Sequence, residues 1–248
     1  MPITDLGLSE PLVRALSQFD EATPVQVAAI PAVLTGRDLL VTARTGSGKT
    51  TAFVLPILES WLAASRSKPK RLHALILVPT RELAAQVREV IQGYARELPE
   101  RIKVVSAVGG VSINPQMMAL RGGADVIVAT PGRLLDLVDH NAVSLEAVGT
   151  LVLDEADRML DLGFADELLQ ILTMLPDERQ NLLFSATFPR KMESIARDFL
   201  CDSKRIEIES ESEEVSNIQQ RAIRVDTAKR TPLLLSLIHI SEPTRQWQ

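Results

Sequence analysis

Apolar positions along the chain keep two rhythms that take turns. Short unbroken runs at 39–41, 73–78, 103–108, 125–129, 150–153, 181–185 and 205–208 have the length and branched-aliphatic content of buried strands. The stretches at 51–64, 81–98, 115–121, 133–139, 165–174 and 191–199 have helical spacing and fall between those runs. Ahead of them, Leu6, Leu8, Leu12, Val13 and Leu16, then Val25, Val27, Ala28 and Ile30, predict two short helices. Residues 19–24 part them, with Thr23 as N-cap and Pro24 in the first turn of the second helix. Runs that are apolar throughout are buried on both faces, so this regular alternation predicts an α/β fold: a mostly parallel sheet with helices on both faces. Ligands of such sheets sit beyond the carboxyl ends of the strands.

The residues that follow the strand runs carry the chemistry. After Leu39–Val41 comes Ala43-Arg44-Thr45-Gly46-Ser47-Gly48-Lys49-Thr50, then an apolar-periodic stretch, the strand, loop and helix start of a phosphate cradle. Gly46 and Gly48 let backbone N–H groups approach an anion, Lys49 reaches the β/γ-phosphates and Thr50 holds Mg²⁺. Ala43 stands where the common P-loop pattern has its first glycine. Leu151-Val152-Leu153 runs into Asp154-Glu155-Ala156-Asp157, a strand tip crowded with acid that calls for a cation. Asp154 is placed to hold Mg²⁺ and Glu155 to polarise an attacking water. Gln26 has an amide able to read a donor and an acceptor edge of a purine, and Ser185 and Thr187 put two hydroxyls at another tip. Pro79-Thr80-Arg81, Gly109-Gly110 and Thr130-Pro131-Gly132-Arg133 combine hydroxyls, open backbone N–H groups and arginines, a set suited to phosphodiester oxygens without base readout.

Taken in order, Ala43–Thr50, Pro79–Ala84, Thr130–Arg133, Asp154–Asp157 and Ser185–Thr187 resemble motifs I, Ia, Ib, II and III of the DEAD-box RNA helicases. The resemblance covers residues 1–234, and residues 112–118 and 181–187 resemble the bacterial RhlE-type subgroup. It implies the N-terminal, RecA-like P-loop domain of an ATP-dependent RNA helicase, an ATP hydrolase that couples hydrolysis to local RNA unwinding or remodelling. It implies an ATP and Mg²⁺ site made of Thr23, Gln26, Ala43, Thr45, Gly46, Ser47, Gly48, Lys49, Thr50, Asp154 and Glu155, with Gln26 on the adenine. Ser185 and Thr187 are implied to couple hydrolysis to strand separation. Pro79, Thr80, Arg81, Gly109, Gly110, Thr130, Gly132 and Arg133 are implied to hold the RNA backbone. The family's motif I begins with alanine, which accounts for Ala43. Its usual aromatic upstream of the glutamine is replaced here by Ile3, and Gln18 and Ala22 stand where a Gly and a Pro are usual.

Composition narrows this picture without redirecting it. At 46% hydrophobic and 24% charged residues, the chain reads as a globular protein with a large core. A formal charge of −5 excludes nucleic-acid binding by bulk electrostatics, so any such contact is local. The single cysteine, Cys201, excludes an internal disulfide framework, and with no membrane-length apolar run the expectation is a monomeric cytoplasmic protein. Residues 1–208 are expected to form the domain, the acidic, Ser-rich stretch 209–217 a linker, and 218–234 the start of a truncated second RecA-like domain. That missing domain is the family's source of an arginine finger. Residues 235–245 resemble the in-frame translation of a transposon-type sequencing adapter, so 235–248 is read as an artefact outside the fold. Deleting 235–248 is therefore expected to leave the melting temperature unchanged, and a thermal-denaturation comparison of the two chains checks it.

Overall fold

A computed structural model describes residues 2–17, 21–64, 70–188, 190–208, 223–226 and 229–241. The contacts divide it into two units, 1–210 and 211–248.

In the first unit seven strands form one parallel sheet: β1 (Leu39–Thr42), β2 (Ala74–Leu77), β3 (Val104–Ala107), β4 (Val126–Ala129), β5 (Thr150–Asp154), β6 (Gln180–Ser185) and β7 (Lys204–Glu207). Their order is β3-β4-β2-β5-β6-β1-β7, and every pairing is parallel. The expected strand runs are all present, each shifted or trimmed by a residue or two at its ends. Alternate residues of the strands feed opposite cores. Leu39, Val41, Ala74, Ile76 and Val152 face one, while Leu40, Leu75, Leu77, Leu151 and Leu153 face the other. That is why these strands carry no polar alternation.

The first core is closed by α1 (Glu10–Ala15), α2 (Pro24–Leu34), α3 (Lys49–Ala63) and α4 (Arg81–Ala95). Helix α3 is buried on nearly every side, and its Phe53 ring meets Phe184 of β6 at 5.2 Å with a 58° tilt. Pro56 lies inside α3 and is itself buried, so packing outweighs the backbone hydrogen bond it removes. The second core lies under α5 (Asn114–Leu120), α6 (Pro131–Asp139), α7 (Ala156–Asp161), α8 (Ala165–Thr173) and α9 (Arg190–Phe199). Helix α7 was visible in the sequence only as acids ahead of Arg158-Met159-Leu160. Only Glu155, turned into a left-handed conformation (φ 52°), separates it from β5.

In the second unit, α10 (Arg230–Ser241) is helical and includes part of the adapter-like segment. Residues 223–226 carry no strand, and the expected linker 209–217 and residues 218–222 lie outside the described residues. Among the described residues, no helix is long and apolar enough to cross a membrane.

At the amino edge of the sheet, buried Asp38 ties three strands together. Its carboxylate accepts from the Asn181 backbone N–H (2.7 Å), the Asn181 side-chain amide (3.0 Å) and the Cys201 backbone N–H (2.8 Å). Its own carbonyl accepts from the Lys204 N–H at 2.9 Å. Removing the carboxylate leaves several donors in a dry site, so Asp38→Ala is expected to cost about 3 kcal/mol. A lowered urea midpoint with an unchanged slope would show it.

Candidate nucleotide and phosphodiester site

The sheet order sorts the carboxyl edge into two neighbouring zones. The tips of β5, β6 and β1 are adjacent, and so are those of β3, β4 and β2.

In the first zone, the loop from Ala43 to Gly48 joins β1 to α3, and Gly46 and Gly48 take φ values of 80° and 95° that suit glycine alone. A side chain at Gly48 would fall 2.6 Å from Gln26 Nε2 and 2.9 Å from Thr23 Oγ1. Gln26 thus packs directly on the cradle. Its Oε1 accepts from the Thr23 N–H at 3.0 Å, and its Nε2 donates to Gly48 O at 3.4 Å. Lys49, 7% exposed, folds back to donate to Ala43 O (2.5 Å) and Arg44 O (3.1 Å). Thr45 is exposed and Thr50 half-buried in the first turn of α3. Ile3 is buried in the first core, and Gln18 lies outside the described residues.

Asp154 ends β5 with only 2% exposure, and its Oδ1 accepts from the Glu155 N–H at 3.0 Å. Burial pushes its carboxyl up to about 7, against the pull of the Lys49 charge. Burial also lowers Lys49, partly offset by the charges of Asp154, Glu155 and Asp157. Glu155 is held by Arg158 Nη1 at 3.1 Å. The tip of β6 lies between the other two: Thr42 is in register with Ser185, Asp154 with Phe184, and the Ala43 N–H donates to Ser185 O at 3.1 Å.

Asp157 is the residue that sequence reasoning left without a role. Its Oδ2 accepts from Thr187 N–H (2.9 Å) and Thr187 Oγ1 (2.7 Å), while its own N–H donates to Ser185 Oγ (3.3 Å). Ser185 Oγ in turn donates to Thr187 O at 2.7 Å. Burial works against its negative charge, but the Thr187 and Ser185 hydrogen bonds outweigh it and hold the carboxyl below its ordinary value. The two hydroxyls are therefore locked to the acid cluster, and the sequence signal was only the third acid at a spacing of two.

The donor set fits a magnesium nucleotide. Among the described residues, Ser47 Oγ is a buried polar atom with no partner at the cradle. Asp154 is a buried carboxyl whose ionised form needs more positive charge than Lys49 supplies, while Lys49 spends its donors on loop carbonyls. A polyanion beside Lys49 and a divalent cation between Thr50 and Asp154 would relieve both.

In the second zone, Pro79 is buried, Thr80 caps α4 by accepting from the Leu83 N–H (3.2 Å), and Arg81 is exposed beside Glu82 at 2.7 Å. Gly110 is left-handed (φ 78°), and a side chain there would meet Arg81 Nη1 at 3.4 Å. The Thr130 N–H donates to Ala107 O at 2.9 Å, and Gly132 is half-buried in the first turn of α6. Arg133 is turned inward: 11% exposed, it donates from Nη2 to Val111 O at 2.9 Å and from Nε to Asp136 Oδ2 at 3.3 Å. Its Nη1 is buried without a partner among the described residues. Buried Gln116, which sequence reasoning passed over, bonds the Val108 N–H (2.9 Å), Val108 O (3.1 Å) and Ser112 O (3.2 Å), so it sets the Gly109–Gly110 turn. Its sequence marks were its place in the stretch 112–118 and on the apolar side of a short helix, neither of which showed this role.

Comparison with known proteins bears on the family and the fold. The family model described as "DEAD/DEAH box helicase" matches residues 23–195. The chain is 39% identical over 241 residues to the DEAD-box ATP-dependent RNA helicase CshA of Bacillus subtilis, covering 96% of this chain and 48% of that protein. It is 38% identical over 245 residues to the ATP-dependent RNA helicase CshA of Limosilactobacillus reuteri, covering 98% and 48%. The chain thus spans about half the length of the curated relatives it matches. Among solved structures, a DEAD box protein from the hyperthermophile Methanococcus jannaschii superposes with a TM-score of 0.76 at 33% identity, over 96% of this chain and 63% of that one.

The raised Asp154 carboxyl has a measurable consequence. The folded chain keeps that proton up to about pH 7, whereas the unfolded chain releases it near 3.8, so stability falls as pH rises from about 4 to 7 and stays low above it. Asp154→Asn removes the cost. Without nucleotide or divalent cation, its melting temperature is expected to exceed the wild type's at pH 8, with the gap closing towards pH 4. Equal melting at pH 8 would mean that Lys49 compensates the carboxylate fully.

Proposed function

The chain belongs to the DEAD/DEAH box helicase family, and from that premise we propose that it is the first, nucleotide-holding RecA-like domain of an ATP-dependent RNA helicase. The observation that supports this is the sheet order, which groups the tips of β1, β5 and β6, carrying Ala43–Thr50, Asp154–Asp157 and Ser185, apart from the tips of β2, β3 and β4, carrying Thr80, Arg81, Gly109, Gly110 and Thr130. Lys49 and the loop Ala43–Gly48 take the phosphates of ATP, Thr50 and Asp154 hold Mg²⁺, and Glu155 orients the attacking water. Thr23 and Gln26 border the base. Bound Mg²⁺ supplies charge neutralisation across the phosphates, while this chain's residues position them.

Pro79, Thr80, Arg81, Gly109, Gly110, Thr130 and Gly132 meet the RNA backbone, with Arg133 acting from beneath as the support of the glycine turn. Ser185 and Thr187 transmit the state of the acid cluster through Asp157. The remaining half of the relatives' length is the proposed source of the charge that completes catalysis, a contribution worth about 10³–10⁵ in rate where an arginine supplies it. Residues 1–208 form the domain, 209–217 a linker and 218–234 the opening of the second domain, with 235–248 extraneous. The RhlE-type subgroup reading rests on residues 112–118 and 181–187 alone, since the relatives compared carry the CshA name. The lone cysteine fits a reducing, cytoplasmic setting, and the chain is read as a monomer.

Calorimetric titration tests the nucleotide zone: the chain is expected to bind Mg-ADP, and Lys49→Ala to abolish binding. Equal binding by both would refute the assignment. In a strand-displacement assay with ATP and Mg²⁺, the 248-residue chain is expected to be inactive and a version extended by a second domain active. Glu155→Gln in the extended version should bind ATP but neither hydrolyse it nor unwind. Robust unwinding by the short chain would overturn the need for a second domain.

A further inference from the structure

The nucleotide and phosphodiester zones occupy the carboxyl edge of the sheet and leave the region around its amino edge without a role. There, a solvent-open cavity of about 910 Å³ lies between α5, the loop 140–147 after α6, and the segments entering β2 and β4. Pockets that take organic ligands span roughly 300–1,000 Å³. Its floor is apolar: Leu72, Leu120, Ala124 and Ile127 are each at most 4% exposed. One wall is Met117 and Met118, the latter 54% exposed, and unbranched thioethers adapt to side chains of varied shape.

One end is shaped by backbone geometry. Gly122 and Gly123 are both left-handed (φ 76° and 82°), and the Lys70 N–H donates to Gly122 O at 3.2 Å. A side chain at Gly123 would fall 2.0 Å from Lys70 O, so only glycine lets the segment entering β2 close that end.

The rim carries Lys70, Arg71 and Arg121 against a single acid, Glu146. Lys70 is paired with Asp125. Arg71 and Arg121 are exposed and make no ion pair or side-chain hydrogen bond among the described residues. A local positive rim on a chain of net charge −5 selects an anionic partner. Among the described residues no Phe, Tyr or Trp lines the cavity, so they offer no stacking platform of the kind on which single-stranded nucleic acid is held.

We propose that this cavity docks an acidic peptide segment, which inserts an apolar side chain between Met117, Met118 and Ile127 and lays its carboxylates on Arg71 and Arg121. The site is separate from the nucleotide zone, so the proposal stands or falls independently of the function assigned above. Three probes added to the isotopically labelled 248-residue chain test it by the methyl resonances of Met117, Met118 and Ile127. They are a short peptide with a Leu-Phe-Leu core flanked by glutamates, the same peptide with glutamines, and oligouridine. The acidic peptide is expected to shift those methyls, and the Arg71→Glu, Arg121→Glu double variant to weaken it about tenfold or more while melting and Mg-ADP binding stay unchanged. Met118→Ala, on the exposed wall, should weaken it also. Equal binding of the glutamine peptide, the same shifts with oligouridine, or no shift with any probe would each overturn the proposal, the second by making the cavity a nucleic-acid surface.

Discussion

The placement of β6 between β1 and β5 is the constraint on which the site depends. Parallel pairing sets Thr42 beside Ser185 and Asp154 beside Phe184, so the tip of β6 lies between the phosphate cradle and the acid cluster. Backbone hydrogen bonds hold that spacing within the tolerance of a ladder, and the Ala43 N–H extends the ladder into the cradle itself. The Phe53–Phe184 contact pins α3, and with it Lys49 and Thr50, to the same strand. Asp38 ties the other end of β6 to β1 and to the entry into β7. A shift of this one strand would separate the acid cluster from the glycine loop, the two halves of the proposed site.

Onto that frame the chain places charges whose mutual compensation is incomplete. Lys49 and Asp154 are both buried, and burial weakens the charged form of each more than their attraction restores it. Such a pair costs stability in the free protein and recovers it when a polyanion and a cation arrive together, which links ligand binding to the state of the loop. Asp157 follows the opposite logic, because the Thr187 N–H and hydroxyl donate to it, with Ser185 Oγ beside them, and keep it ionised. Neighbouring acids are thus driven to different protonation behaviour by burial in one case and by hydrogen bonding in the other.

The phosphodiester zone is organised from behind. Gln116 and Arg133 reach the loop after β3 from two helices of one face, and together they satisfy the carbonyls of Val108, Val111 and Ser112 on either side of its glycines. Arg81, across the glycine turn, is the arginine of that zone that stays exposed. A contact surface of turn backbone and a few side chains suits a repeating backbone ligand, since nothing in it distinguishes one base from another.

The sequence by itself determined the class of fold, the order of the strands and helices along the chain, and the residues of the cradle and acid cluster. It could do so because unbroken apolar runs force burial on both sides of a sheet, and because glycine, lysine and threonine at that spacing serve an anion through local backbone geometry. Helix α7 was legible only as acids ahead of Arg158-Met159-Leu160, since a turn beginning at a left-handed Glu155 leaves no periodic signature in so few residues. The spatial order β3-β4-β2-β5-β6-β1-β7 was also beyond it. Pairing joins residues far apart in the chain and leaves no local mark. For the same reason only the tertiary structure decided that Asp157 anchors Thr187, that Gln116 sets the glycine turn and that Arg133 faces inward. Each of those roles depends on a partner that the chain brings near only by folding.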